Sequence, residues 1–258
     1  MPELLEVEAY RRALLPLLGH EVLEVTADAM VCAHPASSTC PLIGRRLTGL
    51  TRHGKHLIID ADGLEVGLHF GMTGSLIVNG SPVFDRLEFG STIQSGPHVR
   101  LRLTMTDGAV VELHDPRRMA RATLLADLGA LGPDAATINL DELASALGSG
   151  SHSVVALKAR LLDQHRIAGL GNLLVDDVCY RGGLDPRRPA AGLNRAELER
   201  LARAISETLV ELAARGGSHR GDLQPERHRG GRCPRCGVEL VRAQVGSRTT
   251  YLCPLHQR

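Results

Sequence analysis

HRIAGLGNLLVDDVCYRGGLDPRRPA, residues 165–190, places an apolar run of helical spacing between two glycine-rich joints. Glycine frees the backbone where a chain turns, so this stretch predicts a helix–turn–helix pair. The neighbouring segments LDELASAL (140–147), VVALKARLLDQ (154–164) and NRAELERLARAISETLVELAAR (194–215) repeat apolar residues at three- and four-residue spacing. That spacing is typical of amphipathic helices, and Asn194 is the predicted N-cap of the last one. The second half of the chain is therefore predicted to be helical.

The first half of the chain begins with a helix and continues with a different period. Residues 3–18 predict the helix, and Gly19 is its predicted stop. The apolar stripe of this helix comprises Leu4, Val7, Tyr10, Leu14 and Leu18. Later runs such as 56–70 and 98–115 alternate with period two, and their Asp62-Gly63 and Asp107-Gly108 pairs predict hairpin turns. A two-sheet β-sandwich or flattened barrel to about residue 125 is the natural interpretation.

The C-terminal tail carries two pairs of metal-binding side chains. Cys233-Pro-Arg-Cys236 is followed after sixteen residues by Cys253-Pro-Leu-His256. Two thiolates three positions apart form half of a tetrahedral zinc site, the second pair closes it, and the intervening length fits the hairpin of a zinc ribbon. The alternative is a redox pair with an unrelated His256, although no thioredoxin-like βαβ pattern surrounds it. The other cysteines, Cys32, Cys40 and Cys179, have no such partners and are interpreted as ordinary thiols.

Composition and charge limit the classes of protein. The 258 residues are 43% hydrophobic and 23% charged, as in soluble globular proteins. No apolar run reaches the roughly 18 residues of a membrane helix, and the acidic residues near the N-terminus argue against a signal peptide. A cytoplasmic protein without membrane contact is expected. The net charge is +1, but residues 215–258 hold nine arginines and three acidic residues, so this basic end is a candidate phosphate-binding surface.

Seven stretches of the sequence resemble signatures of one family, in the family's order. They are MPELLEVE (1–8), GKHL (54–57), LHFGMTGSL (68–76), HDPRR (114–118), LLDQHRIAGLGNLLVDD (161–177), GLDPRRPA (183–190) and RTTYLCPLHQR (248–258). The chain resembles, over nearly its whole length, the formamidopyrimidine-DNA glycosylase and endonuclease VIII family of bacterial base-excision repair enzymes.

The resemblance implies an α+β fold in three parts. An N-terminal helix and two-sheet β-sandwich would occupy residues 1–125, a helix-two-turn-helix DNA-binding domain 126–225, and a zinc ribbon 226–258. DNA is expected between the sandwich and the other two parts. Four protein ligands leave no open position on zinc, so one structural ion is expected.

The resemblance also assigns chemistry to the first residues. Removal of Met1 would expose the amine of Pro2, whose pKa of about 8 lies below the roughly 10.4 of lysine and favours the neutral, nucleophilic form. Attack on sugar C1′ would expel the base and leave an iminium ion, which promotes elimination and strand cleavage. Glu3 would act as general acid, and Glu6 matches a family acid near the same site. Read alone, Pro2 also fits the first position of a helix, and Glu3 also fits an acid favoured by the helix dipole.

Further matches concern DNA contacts and elimination. Lys55 matches a lysine that contacts phosphate and assists elimination, and a β-turn lysine is the alternative. Asn172 and Arg248 match the pair that grips the phosphates flanking the lesion, and Arg248 is also assigned to late elimination. Lys158 is interpreted as a phosphate contact or a solvated side chain. His98 matches a phosphate-contacting histidine, with a surface strand histidine as the alternative.

Two matching residues would fill the hole that a flipped nucleotide leaves in the duplex. They are Met72, which could otherwise be core packing, and Arg117. The chain departs from the family at four positions: Leu5 replaces Pro, Met119 replaces a frequent Phe, Asp177 replaces a frequent Glu, and His256 replaces the commoner fourth cysteine. The shorter Asp177 side chain is expected to alter a lesion contact.

The expected protein is a bifunctional DNA glycosylase and AP lyase that acts on oxidised or ring-opened bases in damaged double-stranded DNA. It is expected to be a cytoplasmic monomer, associated with the nucleoid when bound to DNA, without a nucleotide cofactor. One alternative is a protein that binds damaged DNA or abasic sites without cutting, which Leu5, Met119 and His256 would permit. The other is a general nucleic-acid factor with a zinc ribbon.

The connection between the last helix and the ribbon bears on substrate choice. Residues 216–231 contain five glycines and are predicted to be flexible, with little apolar surface. In family members that excise 8-oxoguanine, a long loop at this place covers the flipped base. Only eighteen residues, 215–232, are available here. Abasic-site cleavage and release of formamidopyrimidines or oxidised pyrimidines are therefore expected to exceed release of 8-oxoguanine.

Overall fold

The computed structural model describes residues 2–28, 41–84, 96–124 and 128–258. The interpretation of Cys32 and Cys40 as ordinary thiols lies outside these residues. The chain forms two compact units, Met1–Leu128 and Gly129–Arg258. No helix in the described ranges is long and apolar enough to span a membrane.

The first unit begins with α1 (Leu4–Leu14), which continues as the 3₁₀ turn Leu15–Leu17. The helix buries Leu4, Val7, Tyr10 and Leu14, as the apolar stripe predicts. Leu18 lies beyond the last turn and is 39% exposed, so its predicted place on the buried stripe is wrong. Gly19 follows with φ +86, a left-handed conformation that breaks the helix.

In its described residues, the first unit also contains nine strands: β1 (Val22–Ala27), β2 (Leu47–His53), β3 (His56–Ala61), β4 (Leu64–His69), β5 (Ser75–Val78), β6 (Ser81–Pro82), β7 (Val99–Met105), β8 (Val110–His114) and β9 (Arg121–Leu124). They form two antiparallel sheets, of order β1-β7-β8-β5-β6 and β2-β3-β4-β9. One hydrophobic core includes side chains from both sheets and from α1. This arrangement confirms the predicted helix and two-sheet sandwich.

The predicted hairpin turns connect neighbouring strands. Asp62 and Gly63, with φ of 47° and 77°, form the two-residue turn between β3 and β4. Positive φ at both central positions matches the right-handed twist of the flanking strands. Asp107 and Gly108 lie in the longer β7–β8 connection, where Gly108 has φ +89.

The second unit contains α2 (Leu140–Leu147), α3 (Leu157–Leu162), α4 (Asn172–Gly182) and α5 (Arg195–Arg215), followed by the hairpin of β10 (Val241–Val245) and β11 (Arg248–Leu252). Asn194 caps α5 as predicted, because its side chain accepts a hydrogen bond from the backbone N–H of Glu197. These elements confirm the helical part and the ribbon.

Residues 216–231 pack against the rest of the second unit, which corrects their interpretation as a flexible connection. They include two 3₁₀ turns, Ser218–Arg220 and Gln224–Glu226. Leu223 between these turns is buried in a cluster with ribbon residues and Tyr180. Its backbone N–H donates to Asp177 Oδ1 at 3.0 Å. A buried leucine and a carboxylate on α4 are thus among the contacts that hold a segment whose glycine content suggested freedom.

Candidate active site and metal centre

Two buried carboxylates lie at the N-terminus of α1, directly after Pro2. Glu3 and Glu6 are each 1% exposed, and Pro2 is also buried. The Glu3 N–H donates to Glu6 Oε2 at 2.8 Å, and the Glu3 side chain accepts from the Glu6 N–H. This reciprocal capping box fixes the backbone that carries Pro2. The arrangement places a potential acid, Glu3, directly next to Pro2 in the chain.

Lys55 occupies the tight connection between β2 and β3. Gly54 has φ +56, and Lys55 is only 8% exposed. Two imidazoles lie close to this ammonium: His56 and His69 pair across β3 and β4, with ring centroids 4.9 Å apart. Burial, His56 and Lys55 together lower the pKa of His69 to about 4. The site is thus a lysine beside a histidine that is neutral at pH 7.

The sequence interpretation missed His69. Its Nδ1 accepts a hydrogen bond from the Gly71 N–H at 3.2 Å, which leaves Nε2 to carry the proton. His69 is half-buried, and this hydrogen bond ties the end of β4 to the stretch that contains Met72. The available signal was its position inside the LHFGMTGSL signature, directly before Phe70 and Gly71.

Asp115 holds the loop that follows β8. Its buried carboxylate accepts hydrogen bonds from the N–H groups of Met119 at 2.6 Å, Ala120 at 2.7 Å and Arg117 at 3.2 Å, and from the Thr73 hydroxyl. One fully buried side chain therefore ties this loop to the turn before β5. The HDPRR signature contains Asp115, but the sequence alone does not indicate this role.

The same loop brings together two of the predicted DNA-contacting residues. Arg117 Nη1 lies 3.8 Å from the Met72 sulfur, and Arg117 is exposed. Met119 is 37% exposed, and a Cβ added to Gly71 would lie 2.5 Å from its carbonyl oxygen. Only glycine at position 71 permits this close approach of the two chain segments. The result is an exposed apolar and cationic surface.

His98 lies directly before β7, next to the Asp115 loop. Its carbonyl accepts the Asp115 N–H at 2.8 Å, and its exposed ring is 5.6 Å from that of His114. Arg100 Nη2 is 3.5 Å from His98 Nδ1. His98 is therefore on the surface with its backbone held by Asp115, which leaves its phosphate contact a prediction.

Asn172 and Arg248 each begin a secondary-structure element in the second unit. Asn172 is the first residue of α4, and within the described ranges its Oδ1 is buried without a hydrogen-bond partner. Arg248 is exposed at the start of β11. Gly246 and Ser247, with φ of 55° and 61°, turn the chain before it.

Lys158 does not contact solvent, so its interpretation as a phosphate contact or solvated side chain is wrong. Its side chain is 0% exposed. Nζ donates to Asp176 Oδ1 at 2.6 Å and to the Thr249 carbonyl at 3.1 Å. A buried ammonium must be paired to remain in the folded protein, and the acidic partner on α4 satisfies that requirement.

Asp177, the next residue on α4, is also buried. It accepts hydrogen bonds from the backbone of Leu223 and from Arg181 Nε at 3.1 Å. Burial raises the pKa of Asp177, and these hydrogen bonds oppose the shift. Its observed partners hold residues 216–231 in place, so the predicted lesion contact does not follow from its surroundings.

The four predicted metal ligands converge. Their ligand atoms all lie within 4.8 Å of one another: Cys233, Cys236, Cys253 and His256. Tetrahedral zinc with bonds near 2.3 Å to sulfur separates its ligand atoms by about 3.7 Å. The Cys236 and Cys253 sulfurs are 3.8 Å apart, and the Cys253 sulfur is 3.2 Å from His256 Nδ1. The residues fit one structural zinc ion.

Two further residues support the metal centre. The Tyr180 hydroxyl lies 3.6 Å from the Cys233 sulfur, and the Arg235 guanidinium is 4.4 Å from the centroid of the Tyr180 ring. Burial opposes ionisation of Cys233, but hydrogen bonds from Tyr180 and from backbone N–H groups outweigh it and lower the pKa of this thiol to about 6. A thiolate at neutral pH is the form that binds zinc.

The fold combines a β-sandwich, a set of helices and a ribbon with a zinc site. Together these features define one class of protein, and comparison with known proteins identifies that class. Residues 1–122 match the formamidopyrimidine-DNA glycosylase N-terminal domain, 130–222 its H2TH domain, and 230–255 a zinc finger found in FPG and IleRS. The formamidopyrimidine-DNA glycosylase of Azorhizobium caulinodans is 35% identical over 100% of both chains. That of Thermus thermophilus is 34% identical over 100% of this chain and 98% of its own.

Solved structures agree with these relatives. The crystal structure of the MutM (Fpg) protein from Thermus thermophilus has a TM-score of 0.79 and 33% identity, and the match covers 99% of this chain and 98% of that one. A structure of MutM in complex with DNA that contains carbocyclic 8-oxo-G has a TM-score of 0.82 and 26% identity, with both chains fully covered. The chain belongs to the formamidopyrimidine-DNA glycosylase family.

Proposed function

We propose that Pro2 is the nucleophile with which this DNA glycosylase of base-excision repair removes oxidised or ring-opened bases and then cleaves the strand as an AP lyase. The buried arrangement of Pro2, Glu3 and Glu6 carries the proposal. A neutral secondary amine at the mature N-terminus would lie beside a carboxyl group that can exchange protons. The capping box holds the two groups together before DNA arrives.

In the proposed reaction, base release comes first and strand cleavage second. The Pro2 nitrogen attacks sugar C1′, the bond from C1′ to the base breaks, and the base leaves with its electron pair and a proton. Glu3 supplies a proton to the base or to O4′ as the ring opens, and the Pro2 nitrogen loses its own proton to form an iminium ion. The iminium ion acidifies C2′, whose proton passes to a basic group or water. The electron pair left at C2′ forms a double bond to C3′ as the bond from C3′ to the phosphate oxygen breaks. Water cleaves the bond between Pro2 and C1′ and restores the amine.

Other residues are proposed to hold damaged double-stranded DNA. Lys55 would contact phosphate and assist elimination, and the Nε2–H of His69 could donate to the same phosphate. Met72 and Arg117, already in contact, would enter the space that the flipped nucleotide leaves. His98, beside their loop, is proposed as a further phosphate contact.

In the second unit, Asn172 and Arg248 are proposed to grip the phosphates that flank the lesion. Arg248 would also assist late elimination. Zinc would keep the hairpin that carries Arg248 folded. We also propose that the protein acts as a monomer and without a nucleotide cofactor.

Pro2→Gly, or a chain that retains Met1, tests the nucleophile. Borohydride reduces an iminium ion to a permanent crosslink, so trapping on an abasic-site duplex should fall by about 100-fold or more. DNA affinity should change little because the proposed phosphate contacts lie elsewhere. Pro16→Gly, at an exposed proline in the turn after α1, is the matched control and should trap normally. Full lyase activity with an intact Met1 would refute the assignment.

A further inference from the structure

A buried charge cluster joins three separate parts of the second unit. Asp176 on α4 pairs through Oδ1 with Lys158 of α3 at 2.6 Å and through Oδ2 with Arg227 Nη1. The exposed fractions of these side chains are 1%, 0% and 9%. We refer to Asp176, Lys158 and Arg227 as the Asp176 cluster. Lys158 and Asp176 are fully buried, so neither side chain is available for direct contact with DNA.

The cluster also binds the backbone of β11. Lys158 Nζ donates to the Thr249 carbonyl at 3.1 Å, and the Tyr251 N–H points to Asp176 Oδ2 at 3.4 Å. The Arg227 guanidinium lies 5.3 Å from the centroid of the Tyr251 ring. One carboxylate therefore connects α3, α4, the segment before the ribbon and the strand that Arg248 begins.

An apolar contact fixes the other end of the same hairpin. A Cβ added to Gly246 would lie 3.1 Å from Ala159 Cβ, so the β10–β11 turn packs closely on α3. Arg248 is two residues beyond Gly246 and directly precedes Thr249. Its backbone is thus held on both sides by contacts with the helices, whereas its side chain is exposed.

The cluster connects the two proposed phosphate contacts of this unit. Asn172 lies four residues before Asp176, one turn along α4. We infer that Asp176 is a positioning residue, which sets the place of Arg248 relative to Asn172 through Lys158 and Arg227. This inference rests on the proposed role of Arg248 in DNA binding. Lys158 and Arg227 share the carboxylate of Asp176. Loss of that carboxylate would leave both cations without an acidic partner next to β11.

A double-mutant cycle tests the inference. The probe is a duplex with one tetrahydrofuran abasic analogue, and its affinity is measured by fluorescence anisotropy. Asp176→Asn should raise Kd about tenfold when Arg248 is present and less than about twofold when Arg248 is already alanine. Zinc content should remain one ion per chain. Glu207→Gln, which removes an exposed carboxylate from α5, is the matched control and should not alter affinity.

The salt dependence gives a second measurement that a loss of stability alone would not reproduce. If Arg248 loses its phosphate contact, the slope of log affinity against log salt should decrease by about one in Asp176→Asn, as in Arg248→Ala. An equal loss of affinity in both backgrounds, an unchanged affinity, or loss of zinc from Asp176→Asn would each contradict the positioning role, unless that variant fails to fold.

Arg227→Met decides the question if Asp176→Asn does not fold, because it leaves the pair of Lys158 and Asp176 intact. In the same double-mutant cycle, Arg227→Met should lower DNA affinity about threefold when Arg248 is present and should have no effect when Arg248 is already alanine. Absence of coupling in this variant would overturn the inference. Borohydride trapping by the unaltered chain is measured in parallel: its absence would contradict the proposed function, whereas trapping without coupling would contradict only the positioning role.

Discussion

The imidazole of His69 and the ammonium of Lys55 illustrate how individual residues change each other's ionisation. His69 is half-buried, close to His56, and accepts the Gly71 N–H through Nδ1. Protonation would bring a second cation near Lys55 and break that hydrogen bond. In the free protein His69 is therefore a neutral donor through Nε2–H. In the proposed phosphate contact it would donate a hydrogen bond without adding charge near Lys55.

We predict that His69 titrates near pH 4 with its proton on Nε2 at neutral pH, as measured by ¹⁵N NMR of the imidazole. Because its folded pKa is lowered, its contribution to stability is complete above about pH 6.5 and is lost as the pH falls towards 4. The loss is about 3 kcal/mol at most. Lys55→Met should raise the pKa of His69 because it removes a neighbouring cation. Titration near 6.5 in the unaltered chain would contradict this account.

Among the elements, the loop after β8 depends on Asp115. A carboxylate has two acceptor oxygens, and here Oδ2 serves the N–H groups of Met119 and Ala120 while Oδ1 serves Arg117 and Thr73. Asp115→Asn keeps the shape but replaces one oxygen with a donor. We expect the free energy of unfolding to fall by about 1–3 kcal/mol, measured in urea.

Base release should slow in the same variant because Arg117 loses its fixed position. The matched control is Asp141→Asn, at an exposed position in the first turn of α2, where a change of at most about 1 kcal/mol is expected from the helix dipole. Equal stability of Asp115→Asn and the unaltered chain would show that the loop is held by other contacts.

The ribbon contributes few buried apolar side chains, so we expect its fold to depend on the metal. We predict that Cys236→Ser loses zinc and DNA affinity, since folding of the Arg248 hairpin requires the ion. His256→Cys should bind zinc and stay folded, because it restores a four-thiolate site. Elemental analysis of the purified variants measures the zinc content of each. A zinc-free but fully DNA-binding Cys236→Ser protein would contradict the structural role.

Sequence reasoning succeeded where a structure is decided by neighbours in the chain. The Asp62-Gly63 turn, the Asn194 cap and the cysteine spacing each express a local rule, and the structure confirms all three. It failed for Lys158 because the partners of this residue, Asp176 and Thr249, are 18 and 91 positions away. No pattern around a lysine reveals a buried acid on another helix.

The candidate active site shows the same division. The family signatures indicated Pro2, Glu3 and Lys55, but the buried capping box and the network of Asp115 depend on tertiary packing. Residues 216–231 were misjudged because their glycines suggest freedom, whereas Asp177, 46 positions before Leu223, holds them. Local composition could not show that contact.

At the scale of the whole molecule, the chain divides once, after residue 128, and the ribbon belongs to the second unit. Tyr180 of α4 and Leu223 share a buried cluster with ribbon residues. The predicted boundary at residue 225 stays a prediction. These contacts have a consequence for substrate choice, because they use much of the connection between α5 and the ribbon.

Residues 215–232 have little free length with which to cover a flipped base. Arg215 pairs with Asp222 at 2.7 Å, and Leu223 is buried. A Cβ at Gly221 would lie 2.8 Å from Asp177 Oδ1, so this backbone lies directly against α4. Arg227 is occupied by Asp176. The segment is short and also attached along its length.

We therefore predict that abasic-site cleavage and release of formamidopyrimidines or oxidised pyrimidines exceed release of 8-oxoguanine. 8-Oxoguanine differs from guanine by few atoms, so an enzyme needs hydrogen bonds from a covering loop to tell the two bases apart. Ring-opened bases and abasic sites differ more strongly from normal nucleotides and need fewer such contacts. Single-turnover assays on matched duplexes, each with one lesion, measure the order. Fastest release of 8-oxoguanine opposite cytosine would show that residues outside 215–232 recognise the base, and the glycosylase assignment would stand.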